Sequence, residues 1–186
     1  VARRLSLRKH PECHSMAGGR AIEHLAQTGS QEQLVFRLPM AQYRNCNFSF
    51  SGLLQLVNNA IVQKEKEEGV QEGEILSCVR DVAAAVQHAV TVHIIQRTYR
   101  AILFCKKNSI LPSKNAALVV SGGVASNQYI RKGLQNLADA NDFALLCPPP
   151  RLCTDNGVMI AWNGIERLRA GLGVLHSPAG IRYEPK

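Results

Sequence analysis

The sequence predicts a helix-rich α/β fold, and three observations carry that expectation. An uninterrupted apolar run, Ala116–Val120, leads through Ser121-Gly122-Gly123 into a helical pattern from Asn127 to Ala140. A second short apolar run, Phe143–Leu146, precedes another helical pattern that starts after Thr154-Asp155-Asn156. Upstream, two long segments repeat their apolar residues every three or four positions. Strands that alternate with helices indicate α/β organisation.

The elements follow in order. Val1–Leu7 carries no capping residue and reads as the tail of a helix already under way, which suggests a fragment of a longer protein. Gly18-Gly19 opens a short helix over Arg20–Ala26, ended by Gly29. Phe48-Ser49-Phe50-Ser51 alternates with period 2 and reads as a short strand, after a loop marked by Pro39 and Asn45. Leu53, Leu56, Val57, Ala60 and Ile61 predict a helix over 52–68. Its end, Lys64-Glu65-Lys66-Glu67-Glu68, reads as a solvated charge run closed by Gly69. The strongest helical signal spans about Glu72–Lys107, with Ile75, Val79, Val82, Val86, Val90, Ile94 and Ala101 on one stripe. Acids stand early in it and Lys106-Lys107 late, matching the helix dipole. After the strand–turn–helix unit, a last helix runs through Met159, Trp162, Ile165 and Leu168 to about Gly171.

Composition narrows the class. Of 186 residues, 46% are hydrophobic, too many for a disordered chain and enough for one ordinary core. No apolar run approaches the ~20 residues of a membrane span. Val82–Ile95, the nearest, is broken by Gln87, His88, Thr91 and His93. The charge of +8 favours anionic partners. Between Asp81 and Asp139 stand seven basic residues and no acid: Arg97, Arg100, Lys106, Lys107, Lys114, Arg131 and Lys132. That stretch could meet RNA phosphates, or be no more than a dipole-matched helix end. The six cysteines are scattered, with no Cys-x-x-Cys, and read as reduced thiols with ordinary packing roles. His10, Cys13 and His14 lack the second close ligand pair of a structural zinc site. His88 and His93, five apart, lie well off a common helix face.

Three places put glycines or carboxylates where a ligand would need them. Ser121-Gly122-Gly123-Val124-Ala125-Ser126-Asn127 joins a strand to a helix, where backbone N–H groups can meet an anion. Ser126 and Asn127 could add side-chain hydrogen bonds, or Ser126 could simply cap the helix. Gly18-Gly19-x-x-x-Glu23 sets a carboxylate one helical turn after a glycine. It could accept from two ribose hydroxyls, or serve the helix dipole alone. Cys153-Thr154-Asp155-Asn156-Gly157 sits at a helix start behind three prolines, with Asp155 placed as a cap.

In order along the chain, Gly18-Gly19…Glu23, Phe48-Ser49-Phe50-Ser51-Gly52-Leu53, Ser121–Asn127 and Cys153–Asn156 resemble the tRNA N6-adenosine threonylcarbamoyltransferase family, long labelled O-sialoglycoprotein endopeptidase-like. Asp81-Val82-Ala83-Ala84-Ala85-Val86-Gln87 fits it too, and mitochondrial animal members look most alike. The resemblance implies an actin-like/sugar-kinase/Hsp70 ATPase fold with two lobes around a nucleotide cleft. Residues 1–150 would be the second lobe, truncated at its start. Residues 151–186 would carry a metal-ligand motif, a helix and a tail returning toward the first lobe.

The implied reaction moves the threonylcarbamoyl group from threonylcarbamoyl-adenylate to N6 of the adenosine 3′ of the anticodon, in tRNAs reading codons that begin with A. Carried over by position, Gly19 and Glu23 would hold the adenylate ribose, Ser126 and Asn127 would contact the adenylate, and Thr154 would lie beside it. Asp155 would be one ligand of a divalent metal ion. The other ligands, a His-x-x-x-His pair, belong to the first lobe and are not in this chain. Implied partners are tRNA and the synthase that supplies the adenylate; some members form homodimers. The implied location is mitochondrial. Two other readings stand beside it, a metallo-endopeptidase and a non-catalytic nucleotide-binding module. A peptidase would need several metal ligands and a general base, which Asp155 alone does not provide.

Overall fold

A computed structural model describes residues 1–111 and 115–172 of the chain. Its spine is one long helix, and the other elements are arranged along it. In order these are α1 (Gly18–Ala26), α2 (Ser51–Glu68), α3 (Val79–Lys107), β1 (Ala117–Val119), α4 (Gln128–Asp139), β2 (Ala144–Leu146) and α5 (Gly157–Arg169). Short 3-10 turns lie at Leu7–Lys9, Gly123–Ser126 and Pro150–Leu152.

The expected helix over 72–107 begins only at Val79, because Gly73 takes a positive φ of 93° and the chain turns before entering α3. At 29 residues, α3 is about 44 Å long, enough to serve two cores. Its first half buries Val82, Ala83, Ala84, Val86 and Ala89 with Leu25, Leu53, Val57 and Ile61 from α1 and α2. Its second half, with Ile102, meets Ile130, Leu134 and Leu137 of α4 and Phe143. The alanine run lets α1 lie close, and the loop after α1 lies closer still. A Cβ on Gly29 would stand 2.0 Å from the carbonyl oxygen of Arg80. Ser30 N donates to Asp81 Oδ1 at 2.7 Å in the same crossing, so the backbone there has little room to yield. Gly29→Ala should therefore cost about 2 kcal/mol, read as a lower denaturation midpoint at unchanged m-value.

β1 and β2 pair in parallel, with Leu118 opposite Leu145. These two central residues turn toward α3 and α4, whereas Val119 and Leu146 on the other face are 68% and 53% exposed. The strand expected to be buried is thus covered on one face only.

Several other expectations are corrected. Val1–Leu7 is a succession of turns rather than a helix, and Ser6 adopts a left-handed φ of 52°. Phe48–Phe50 is not a strand. Its period-2 spacing instead sets both rings on one side, edge-on to His93 at 5.8 and 5.2 Å between centroids. His93 is fully buried, and burial together with Arg97 and Arg100 holds its imidazole below the usual histidine range. The charge run at the end of α2 is only partly solvated. Glu65 is buried and receives Arg4 through two hydrogen bonds of 2.5 and 2.6 Å.

The Arg4 hydrogen bonds keep the Glu65 carboxyl below its ordinary range. A carboxylate depressed in the folded state stabilises above its unfolded pKa of about 4.3, and that contribution fades as pH falls through the lower, folded value. Glu65→Gln should lower stability at pH 7 and flatten the pH dependence below about 4.3, measured by chemical denaturation across that window.

The basic stretch, which the sequence leaves open as an RNA-facing surface or a dipole-matched helix end, is largely consumed in holding the fold. Arg97 is 1% exposed and donates to the carbonyls of Met40, Tyr43 and Asn45. Arg100 also reaches Tyr43 O, Lys106 reaches Asn141 O, and Arg131 reaches Pro148 O. Lys114 lies outside the described residues. Only Lys107 and Lys132 of that set are exposed without such a carbonyl partner among the described residues.

Candidate functional site

The two glycine-bearing segments, 105 residues apart at Glu23 and Gln128, face one another across an open cavity of about 970 Å³. Its walls are α1, the middle of α3, the turn from Gly123 into α4, and the loop at Pro150–Thr154. Of the residues singled out in the sequence, Gly19, Glu23, Ser126, Asn127 and Thr154 all line it. Asp155 follows Thr154 directly and is exposed, but is not among the lining residues.

Each position has a local cause. Glu23 is directed by α1, and its Oε1 accepts the backbone N–H of Gln128, the first residue of α4, at 2.7 Å. That bond places a carboxylate at the positive end of the α4 dipole and ties the two walls together. Gly122 holds φ at 94°, a conformation glycine adopts without strain, and this aims the following 3-10 turn into the cavity. Ser126 is not the helix cap. Its hydroxyl donates to Gly123 O at 2.7 Å within the turn. Asn127 caps α4 instead, accepting from Ile130 N at 3.0 Å, while its amide nitrogen donates to Gln87 Oε1 at 2.9 Å. Both polar atoms of Asn127 are thus engaged by the protein.

The last motif is also shifted by one residue. Asn156, not Asp155, caps α5, accepting from Met159 N at 3.2 Å. The Asp155 carboxylate has no hydrogen-bond partner among the described residues, so it is left to face outward. Within those residues no three His, Cys, Asp or Glu side chains gather closely enough to hold a metal ion. An exposed carboxylate without a partner is chemically able to ligate a cation, but the described residues do not assemble a metal site around Asp155.

Two residues that sequence reasoning missed hold the site together. Gln87 is a buried amide in an otherwise apolar stretch of α3, and it lines the cavity beside Asn127. A polar residue inside the alanine run was the available signal. Arg131 reads in the sequence only as one cation of the basic stretch between Asp81 and Asp139. Its guanidinium instead clasps Ala125 O, Pro148 O at 2.6 Å and Cys153 Sγ at 3.1 Å. It joins the glycine turn, the proline run and the Cys153–Asn156 motif into one wall.

Residues 1–162 match the family model TsaD, tRNA N6-adenosine threonylcarbamoyltransferase. The chain belongs to this family. It is 61% identical over all its 186 residues to the mitochondrial tRNA N6-adenosine threonylcarbamoyltransferase of Homo sapiens, covering 45% of that protein. To the zebrafish (Danio rerio) mitochondrial protein of the same name it is 58% identical over 186 residues, or 46% of that protein. A tRNA N6-adenosine threonylcarbamoyltransferase of the bacterium Granulibacter bethesdensis is 42% identical over 164 residues, 87% of this chain and 42% of the relative. The chain spans slightly less than half the length of these threonylcarbamoyltransferases. No helix among the described residues is long and apolar enough to cross a membrane.

Proposed function

We propose that the whole protein transfers a threonylcarbamoyl group from threonylcarbamoyl-adenylate to N6 of the adenosine 3′ of the anticodon, in tRNAs reading codons that begin with A. The observation that carries this reading is the convergence of Gly19, Glu23, Ser126, Asn127 and Thr154 on one cavity from segments far apart in sequence. In this reading the chain is the second lobe of an actin-like ATPase fold over 1–150, and α5 in 151–186 leads back toward a first lobe. The protein works in mitochondria, as the names of its animal relatives say of those proteins.

The residues divide the work physically. A Cβ on Gly19 would meet nothing within 4 Å beyond its own stretch of helix, so packing does not require the glycine; the free space lets a ribose approach the backbone. Glu23, fixed through Gln128 N, accepts from the ribose hydroxyls. Ser126 and the turn from Gly123 meet the adenylate, with Asn127 holding the start of α4 in place through its cap. Thr154 borders the same ligand. Asp155 would supply one carboxylate to a divalent ion, whose other ligands would be a His-x-x-x-His pair outside this chain. Such an ion would polarise the carbamoyl carbonyl and offset charge as adenylate leaves. The protein's remaining contribution is positioning, since no side chain here needs to act as a nucleophile.

The test is reconstitution of the whole protein with tRNA, ATP, threonine, bicarbonate and the adenylate-forming synthase. Threonylcarbamoyladenosine in the digested tRNA is the expected result, and its absence would overturn the reading. This chain alone should give no turnover, because it carries one metal ligand and one side of the cleft. Whether the whole protein works as a homodimer is read from the same preparation by its mass in solution.

A further inference from the structure

A second cavity, of about 950 Å³, opens beside the first and shares Met16, Gly19 and Ile22 with it. The charged residues that line it are Arg3, Arg8 and Lys9, all exposed, and no carboxylate lines it. Among the described residues none of the three forms an ion pair. Neighbouring Arg4 shows what a structural arginine does in this segment, pairing with buried Glu65. Arg3 and Arg8 make no such contact.

The backbone that carries these cations is fixed. Leu5 and Leu7 are each 2% exposed and Cys13 is 1% exposed, so the segment is anchored on both sides of Ser6. Ser6 holds a left-handed φ of 52°, a strained conformation for a side-chain-bearing residue that persists where its surroundings dictate it. Lys9 Nζ donates to Gly73 O at 2.7 Å, which fixes its direction. Three cations thus project from an anchored backbone beside the cavity proposed for the reaction, and none of them meets a carboxylate among the described residues. Cations that share an anchored backbone and lack a counter-charge suit a polyanion whose phosphates recur along a strand.

We infer that Arg3 and Arg8 bind the phosphate backbone of the RNA strand that presents its adenosine to the neighbouring cavity, with Lys9, tied to Gly73 O, adding charge beside them. This rests on the proposed function for the identity of the RNA, and on the cavity's own charge for the contact. It also moves the RNA-facing surface away from the Arg97–Lys132 stretch, whose arginines hold carbonyls within the fold.

The experiment uses the whole protein and an unmodified tRNA reading codons that begin with A. Affinity is measured across a salt titration for the wild type, for Arg3→Gln/Arg8→Gln, and for Lys107→Gln/Lys132→Gln, which removes the same charge elsewhere. The first double variant should weaken binding on the order of 10-fold and lower the slope of log K against log salt by about 1.4, at ~0.7 per single-strand phosphate contact. The second should leave the slope near that of the wild type. Equal effects from both would mean general charge attraction and would overturn the inference, as would an unchanged slope in the first. So would a change confined to the KM for the adenylate, since the cations would then serve the small substrate. A wild type that binds tRNA with the expected slope difference, yet transfers nothing, would refute the proposed function while leaving this surface standing.

Discussion

Asp155→Ala in the whole protein is expected to cut threonylcarbamoyl transfer by about 10³-fold, equivalent to about 4 kcal/mol of barrier, while leaving the melting temperature nearly unchanged. The separation of the two effects follows from the helix start. Because Asn156 caps α5, the Asp155 carboxylate carries no cap hydrogen bond whose loss would loosen the helix. Its exposure leaves no buried cavity after truncation either. The measurement pairs a tRNA-modification assay with a thermal melt. Activity within a few-fold of wild type would overturn the proposed metal-ligand role of Asp155. A large fall in melting temperature would instead make it a structural residue.

Arg97→Met carries the largest expected cost in stability, about 3 kcal/mol. The buried guanidinium has no carboxylate partner among the described residues; its charge is met by the carbonyls of Met40, Tyr43 and Asn45, at 2.5, 2.9 and 2.7 Å. Methionine fills similar space but donates nothing, so these carbonyls must find water by peeling the 40–46 segment off α3. That segment leads directly into Phe48 and Phe50, whose packing on His93 would loosen with it. A loss of about 3 kcal/mol corresponds to a drop of roughly 6–12 °C in melting temperature for a domain of this size. A loss below about 1 kcal/mol would show that the carbonyls are hydrated at little cost.

The helices were legible because periodicity reports them directly: α2 and α4 stand within a residue or two of their expected bounds. The site was legible through its glycines and carboxylates, which mark backbone approach and helix starts. What could not be read was partner choice. Asn127 and Asn156 each take the cap that a neighbour was expected to hold, and nothing local distinguishes adjacent polar residues before the turn geometry is known. The same blindness affected charge. Arg97 and Arg131 count as cations in a sequence, and only tertiary contacts reveal that backbone carbonyls occupy them. Phe48–Phe50 had strand spacing without a strand, because period 2 describes any extended segment that presents one side to a neighbour.

The two-stranded sheet has a consequence for how the chain behaves in a test tube. Three-residue strands are too short to be stable by themselves, and among the described residues both edges of this pair end without a further strand. The outward Val119 and Leu146 are apolar, and α5 has Val158, Ile160, Trp162 and Leu168 all more than half exposed. Open edges beside bare apolar surface are the ingredients of intermolecular strand addition. Handled by itself at high concentration, the chain is expected to self-associate more readily as salt is added, because salt screens the mutual repulsion of its +8 charge.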